Sequence, residues 1–309
     1  MDSPPGQKRP GGWRETCSVS GNRSAFDTSL RGPGLGTRRR LGRSALAGAL
    51  LLAGALGSPS WGEPPALGHL ARVRATGTLR VCIWPDYFSI TYRNPRTQQL
   101  SGIDVDLAQA LASDLGPGVA VSFVDSSFAH LIDDVTSDRC DVAMFAVGVT
   151  ADRVARLRFS RPYLRSDIYA VTTRANRRIR QWEDIDRPGV VVAVAKGTYH
   201  EPVMRERLQH ATLKVLDTPF SREQDVEAGR ADVFMTDYPY SQRMLRNADW
   251  ARLVAPPAPY HLTPYAYAVA PGDDEWAARI DRFVADIQRD GRLRSAARRH
   301  RLDAIAVLE

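Results

Sequence analysis

The stretch CDVAMFAVGVTADRVARLRFSRPY, Cys140 to Tyr163, joins an apolar run to a turn-like Thr-Ala-Asp-Arg segment and then a basic stretch. CDVAMFAV reads as a strand. The segment beyond it has two readings: an exposed helix with solvated arginines, or a turn that presents Arg153 inward as an anion clamp.

Working outward, strands alternate with helices. GTLRVCIW (Gly77 to Trp84) is a compact apolar run that reads as a strand buried on both faces. GIDVDLAQALASDLG (Gly102 to Gly116) reads as a helix with Asp104 as candidate N-cap and Gly116 just past its end. VAVSFV is a strand and SFAHLIDDVTSD a helix leading into CDVAMFAV. A second cycle runs through GVVVAVA, EPVMRERL, LKVLD, SREQDVEAG and ADVFMTD, with a capping-box pattern from Ser221 to Gln224. Such alternation implies parallel sheets.

Between the cycles, RSDIYAVTTR (Arg165 to Arg174) is extended, as is TPYAYAVAP (Thr263 to Pro271) after the second; an amphipathic helix, WAARIDRFVADIQRDG, comes next. This layout predicts an α/β chain of two lobes joined by two extended hinge segments. Lobe 1 takes residues 76–166 and 268–309, and lobe 2 residues 167–267 with the hinges. Ligands of open α/β sheets bind beyond the carboxyl ends of the strands, so the cleft between such lobes is the expected site.

The chain has 309 residues and a formal charge of +7. Residues 1–62 hold nine basic side chains against three acidic ones, so the remainder is nearly neutral and forms no basic stripe of the kind nucleic acid requires. Met1 to Gly36, rich in Gly, Pro, Ser and Arg, is expected to be disordered or to come from a start codon placed too early. SALAGALLLAGAL (Ser44 to Leu56), after basic residues and before GSPSWGEPP, has the layout of a secretory signal peptide. It falls short of the roughly 20 residues that span a bilayer. TRRRLGR, Thr37 to Arg43, loosely resembles a twin-arginine signal, although basic n-regions are common. Residues 1–62 are thus read as leader plus signal peptide and 63–75 as a linker, with a periplasmic mature protein.

Cys82 and Cys140 are expected to be small buried apolar side chains rather than halves of a disulfide. The scattered histidines give no metal-ligand spacing, so no metal is expected.

From about Thr76 to about Ile305 the chain resembles the family 3 extracellular solute-binding proteins of amino-acid ABC transporters. The resemblance is carried by GTLRVCIWPDY, SGIDVDLAQALASDLG, CDVAMFAVGVTADRVARLRFSRPY, AKGTYHE and GRADVFMTD. It implies a type II periplasmic-binding fold, capture of an amino acid or related small carboxylate by cleft closure, delivery to an inner-membrane permease, a monomer and no cofactor. It also implies roles for single residues. Arg153 of Thr150-Ala151-Asp152-Arg153 matches the carboxylate clamp, a rigid guanidinium fork suited to two oxygens. Thr198 and Tyr199 would open a helix whose free N–H groups complete that site. Asp237 matches the acid that pairs with the ligand's ammonium, although an acid at a strand end also serves as a helix cap. Trp84, Tyr87 and Phe128 would hold the ligand side chain, with Ala146 and Gly148 lining the site.

Three positions depart from the family pattern: Gly148 replaces a small hydroxyl residue, Ser89-Ile90 replaces Pro-Phe, and Phe145 stands where small residues are frequent. Arg156, Arg158 and Arg161 are expected to be solvated. Cyclohexadienyl dehydratases, which remove water and carbon dioxide from prephenate or arogenate, share much of the pattern, including a cysteine placed as in RVC. That resemblance implies an alternative in which Glu201 acts as general acid. A ligand-sensing domain for a receptor is a third reading, without an output segment after Leu302 to support it.

Overall fold

The computed structural model describes residues 68–218 and 220–308. The leader, the segment Ser44 to Leu56 and the first part of the expected linker lie outside the described residues. The later part of that linker is a helix, α1 (His69–Thr76). It is anchored by its polar side chains: Arg72 forks Asp138 and also reaches Asp141 at 2.6 Å, and His69 Nδ1 meets Asp273 at 2.9 Å. Composition gave no sign of these partners because all lie far along the chain.

In lobe 1, β1 (Thr78–Ile83) is followed by a small antiparallel sheet of β2 (Asp86–Tyr87), β3 (Thr91–Arg93) and β4 (Leu100–Ser101). Then come α2 (Ile103–Leu115), β5 (Ala120–Asp125), α3 (Leu131–Thr136), β6 (Val142–Gly148), the single turn α4 (Ala151–Val154), β7 (Arg158–Phe159) and β8 (Leu164–Ser166). Lobe 2 contributes β9 (Tyr169–Thr173), β10 (Val191–Ala195), α5 (His200–Arg207), β11 (Thr212–Leu216), α6 (Ser221–Glu227), β12 (Val233–Thr236), α7 (Tyr238–Asn247) and β13 (Ala251–Val254). The chain then returns through β14 (Thr263–Val269) to α8 (Asp274–Arg289) and α9 (Arg292–His300), which pack on lobe 1.

The first sheet runs β5-β1-β6-β14-β7 with β8 also on β14, and the second runs β11-β10-β12-β9-β13. Within the β-α-β cycles the pairs are parallel, as Thr78 opposite Ala120 and Val191 opposite Thr212. The two extended segments depart from the expected all-parallel pattern. β9 pairs antiparallel with β12 and β13, and β14 antiparallel with β6, β7 and β8. Each arrives by a short link from the other sheet, without the long crossover a parallel partner needs.

The switch between sheets falls at Asp167-Ile168 and again over 255–262, so all of β14 belongs to the first sheet, earlier than the expected boundary at 268. Asp167 ties the two links together: Oδ1 accepts the N–H groups of Ile168 and His261 at 2.7 Å each, and Oδ2 accepts that of Tyr260 at 2.8 Å.

Three local expectations are overturned. Cys82 and Cys140 form a disulfide with Cα atoms 5.6 Å apart. Parallel pairing of β1 with β6 brings the positions together, a proximity that spacing alone does not reveal. Asp104 does not cap α2, whose N-cap is Gly102. The Asp104 carboxylate is fully buried and accepts from Ala146 N at 3.0 Å and from the Tyr163 and Tyr267 hydroxyls at 2.5 and 3.0 Å. The capping box at α6 is absent as well: the N-cap is Phe220, and the Ser221 hydroxyl donates to the Thr218 carbonyl.

Candidate functional site

The carboxyl end of β6 faces those of β10 and β12, which lie side by side in the second sheet. β6 is buried throughout and ends at Gly148; Thr150 Oγ1 then accepts the backbone N–H of Arg153, closing the turn that α4 begins. This local cap turns the Arg153 side chain inward, where it is 5% exposed. Nη1 donates to the Gly148 carbonyl at 2.9 Å and Nη2 to the Gly197 carbonyl at 3.0 Å, while Cζ lies 5.4 Å from the Phe128 ring centre. Burial lowers the pKa of this guanidinium to about 10, still charged at neutral pH. The exposed arginines behave differently: Arg156 pairs with Asp152 and Arg161 with Asp281.

Asp237 directly follows β12 and caps α7 by accepting Tyr240 N at 3.1 Å. The cap expected of an acid at a strand end is present, and because it uses Oδ1 it leaves Oδ2 facing lobe 1. Oδ2 accepts the hydroxyls of Tyr87 and of Tyr265, the latter at 2.9 Å. Burial raises the pKa of Asp237, with the Tyr87 hydrogen bond the largest opposing influence. The Tyr199 hydroxyl stands 3.3 Å from that of Tyr265, extending the hydroxyl chain.

Trp84, Tyr87 and Phe128 form an aromatic cluster with centroids 5.3 to 5.8 Å apart, backed by Phe145 at 5.0 Å from Phe128. Phe145 thus fills space beneath the cluster. Gly148 also has a steric role: a Cβ there would meet Thr263 Cγ2 at 3.2 Å and Tyr199 Cδ1 at 3.3 Å, so the missing hydroxyl side chain makes room for Tyr199. Ala146 has a φ of 49°, a left-handed conformation that costs an L-residue free energy and is held by the bond from its N–H to Asp104.

An inner cavity of about 20 Å³ is lined by Trp84, Tyr87, Phe128, Ala146, Thr198, Tyr199 and Asp237, with Arg153 and Gly148 adjoining through Tyr199 and Phe128. It adjoins a groove of about 670 Å³ that shares Trp84, Phe128, Thr198, Arg222 and Tyr240. The nine expected residues therefore gather in one place. The facing turn differs from expectation in two details, Thr198 and Glu201, with α5 opening at His200. The N–H and hydroxyl of Thr198 both donate to the Ala195 carbonyl, at 3.3 and 2.7 Å, so they are not free. Glu201 lines neither cavity; its carboxylate accepts from Gly197 N and pairs with Arg205 in an outer depression with Pro202 and Glu206.

α5 begins at His200, and the phase of that first turn brings His200 rather than Glu201 to the cavity. Arg222, Tyr240 and Tyr265 were also missed. Arg222 sits in a stretch that reads as an ordinary polar helix, and the only available signal was its placement beside the helix start.

Among the described residues, no helix is long and apolar enough to cross a membrane. The profile of the bacterial extracellular solute-binding proteins, family 3, matches residues 79–302. A cyclohexadienyl dehydratase of Pseudomonas aeruginosa is 31% identical over 227 residues, covering 73% of this chain and 83% of that protein. The L-cystine-binding protein TcyJ of Escherichia coli is 26% identical, covering 82% and 94%. Among solved structures, an ancestral amino-acid-binding protein described as a precursor of cyclohexadienyl dehydratase superposes with a TM-score of 0.68 at 28% identity, covering 74% of this chain and 98% of its own.

Proposed function

The chain belongs to the bacterial extracellular solute-binding proteins, family 3, and from that premise we propose that it captures an amino acid or related small carboxylate in the periplasm for an ABC permease. The observation that carries this reading is the pairing, in one cleft, of the buried Arg153 guanidinium with the buried Asp237 carboxylate. Arg153 has no salt bridge with a carboxylate among the described residues, and an α-carboxylate supplies one in the two-oxygen geometry a guanidinium matches. The α-ammonium meets Asp237 Oδ2, whose tyrosine hydroxyls turn to donate elsewhere as it arrives. Trp84, Phe128 and Tyr87 cover the aliphatic part. The small inner cavity accepts such a ligand when the lobes part and re-close, exchanging interlobe bonds such as Arg153 to Gly197 and Tyr87 to Asp237 for bonds to the ligand.

The relative named as a dehydratase keeps a catalytic reading in view, but a general acid must reach the substrate, and Glu201 faces away from the cavity. Calorimetric titration of the purified protein with the common amino acids and with prephenate and arogenate tests both readings. Saturable binding of an amino acid without turnover supports capture. Consumption of prephenate or arogenate, followed by the absorbance of an aromatic product, overturns it.

A further inference from the structure

The proposed contacts to an amino acid's α-groups leave two inner polar side chains unused. Arg222 is 6% exposed, lies between the rings of Phe234 and Tyr240 at 5.0 and 4.4 Å, and lines both the cavity and the groove. Nε donates to Glu223 Oε1 at 2.8 Å and Nη1 to the Met235 carbonyl at 3.1 Å, so the guanidinium is fixed in place with donors to spare. His200, 4% exposed, lines the same cavity; its ring interacts with the backbone of Thr236, but neither ring nitrogen has a hydrogen-bond partner of normal geometry. Burial, and after it the charge of Arg222, pushes the His200 pKa well below its ordinary value, so it is a neutral ring with one N–H to give. An unpaired buried polar group is costly, and a ligand that bonds to it recovers that cost.

We propose, on the reading that Arg153 and Asp237 hold the α-groups, that Arg222 and His200 form a second pole that binds an anionic side-chain group, making the cargo a short acidic amino acid. A guanidinium and an imidazole N–H together suit a carboxylate's two oxygens. The outer groove suits it less: four acids, Asp86, Asp133, Asp217 and Glu223, line it against Lys196 and Arg222, so an anionic tail directed outward meets more like charge than opposite. The anion therefore lies inward, and the side chain is of aspartate or glutamate length.

The test compares near-isosteric pairs, glutamate with glutamine and aspartate with asparagine, by calorimetry on the full chain at pH 7.5. The acid is expected to bind at least about tenfold more tightly than its amide. In the double variant Arg222→Met/Glu223→Gln, which removes the ion pair together so that no lone buried charge remains, that preference is expected to collapse. His200→Phe, which keeps an aromatic ring but no N–H, is the second variant, and should weaken the acid more than the amide. The second pole is overturned if amides or cationic amino acids bind as tightly as acids in the unaltered protein, or if the acid preference survives both substitutions. Those outcomes leave amino-acid capture standing. Failure of every amino acid to bind overturns both.

Discussion

Nη2 of Arg153, in lobe 1, donates to the carbonyl oxygen of Gly197, in lobe 2, at 3.0 Å. Its other described acceptor, the Gly148 carbonyl, is also neutral, so this buried cation is held by two carbonyl dipoles and the face of Phe128, with no carboxylate hydrogen-bonded to it among the described residues. Arg153→Ala should therefore leave the stability of the ligand-free protein within about 1 kcal/mol of the parent, because the lost hydrogen bonds are offset by relief of desolvation. The stabilisation by ligand at 100 times its dissociation constant, roughly 2.7 kcal/mol, should vanish. Calorimetric melting with and without ligand reads both, and a retained ligand shift would remove Arg153 from the site.

Gly197 has a φ of 75°, and a Cβ added there would lie 2.7 Å from the backbone of Ala129 across the cleft. Gly197→Ala is expected to cost about 1 kcal/mol of stability through the left-handed backbone. It should also hold the lobes apart, raising the ligand dissociation rate more than it slows association. Stopped-flow binding and small-angle scattering check this; an unchanged off-rate would show that closure does not bring Gly197 and Ala129 together.

Burial raises the pKa of Asp104 to about 7, with the Tyr163 and Tyr267 hydroxyls opposing it. The folded protein thus holds a proton that the unfolded chain, with a carboxyl pKa of about 3.9, releases. Stability from this group is complete below about pH 4 and is lost as pH rises through about 7. Asp104→Asn should flatten that decline, measured by urea melts across the range; an unaltered pH profile would mean that Asp104 titrates near its ordinary value.

The Cys82–Cys140 bridge spans 58 residues, and cross-linking a loop of that length stabilises by about 4 kcal/mol in the chain-entropy account. A Cys82→Ala/Cys140→Ala variant should lose stability of that order in urea melts, while ligand affinity in the still-folded protein stays the same. A loss below about 1 kcal/mol would indicate that the unfolded chain is already compact there.

The alternating cycles, and the placing of Arg153 and Asp237 just beyond strand ends, were legible in the sequence because each depends on local signals. A strand that runs out into Thr150 and a cap, or into Asp237 and Tyr238-Pro239, declares its carboxyl end within a few residues. The features that escaped depend on residues far apart. The disulfide needs β1 beside β6, and the burial of Asp104 needs Tyr163 and Tyr267, distant in sequence and indistinguishable beforehand from any other partner for an acid near a helix start. The choice between His200 and Glu201 turned on the phase of a single turn, about 100° per residue, which an eight-residue helix of mixed polarity does not fix.

Asp167 gathers N–H groups from both links between the sheets onto one buried carboxylate. Two separate ribbons would let one lobe twist, slide and tilt against the other. Fastened together, they favour hinging through one angle over sliding or twisting. On the proposed function, a ligand in the cleft sets that angle, and a permease reading the spacing of the two lobe tips would register occupancy without touching the ligand.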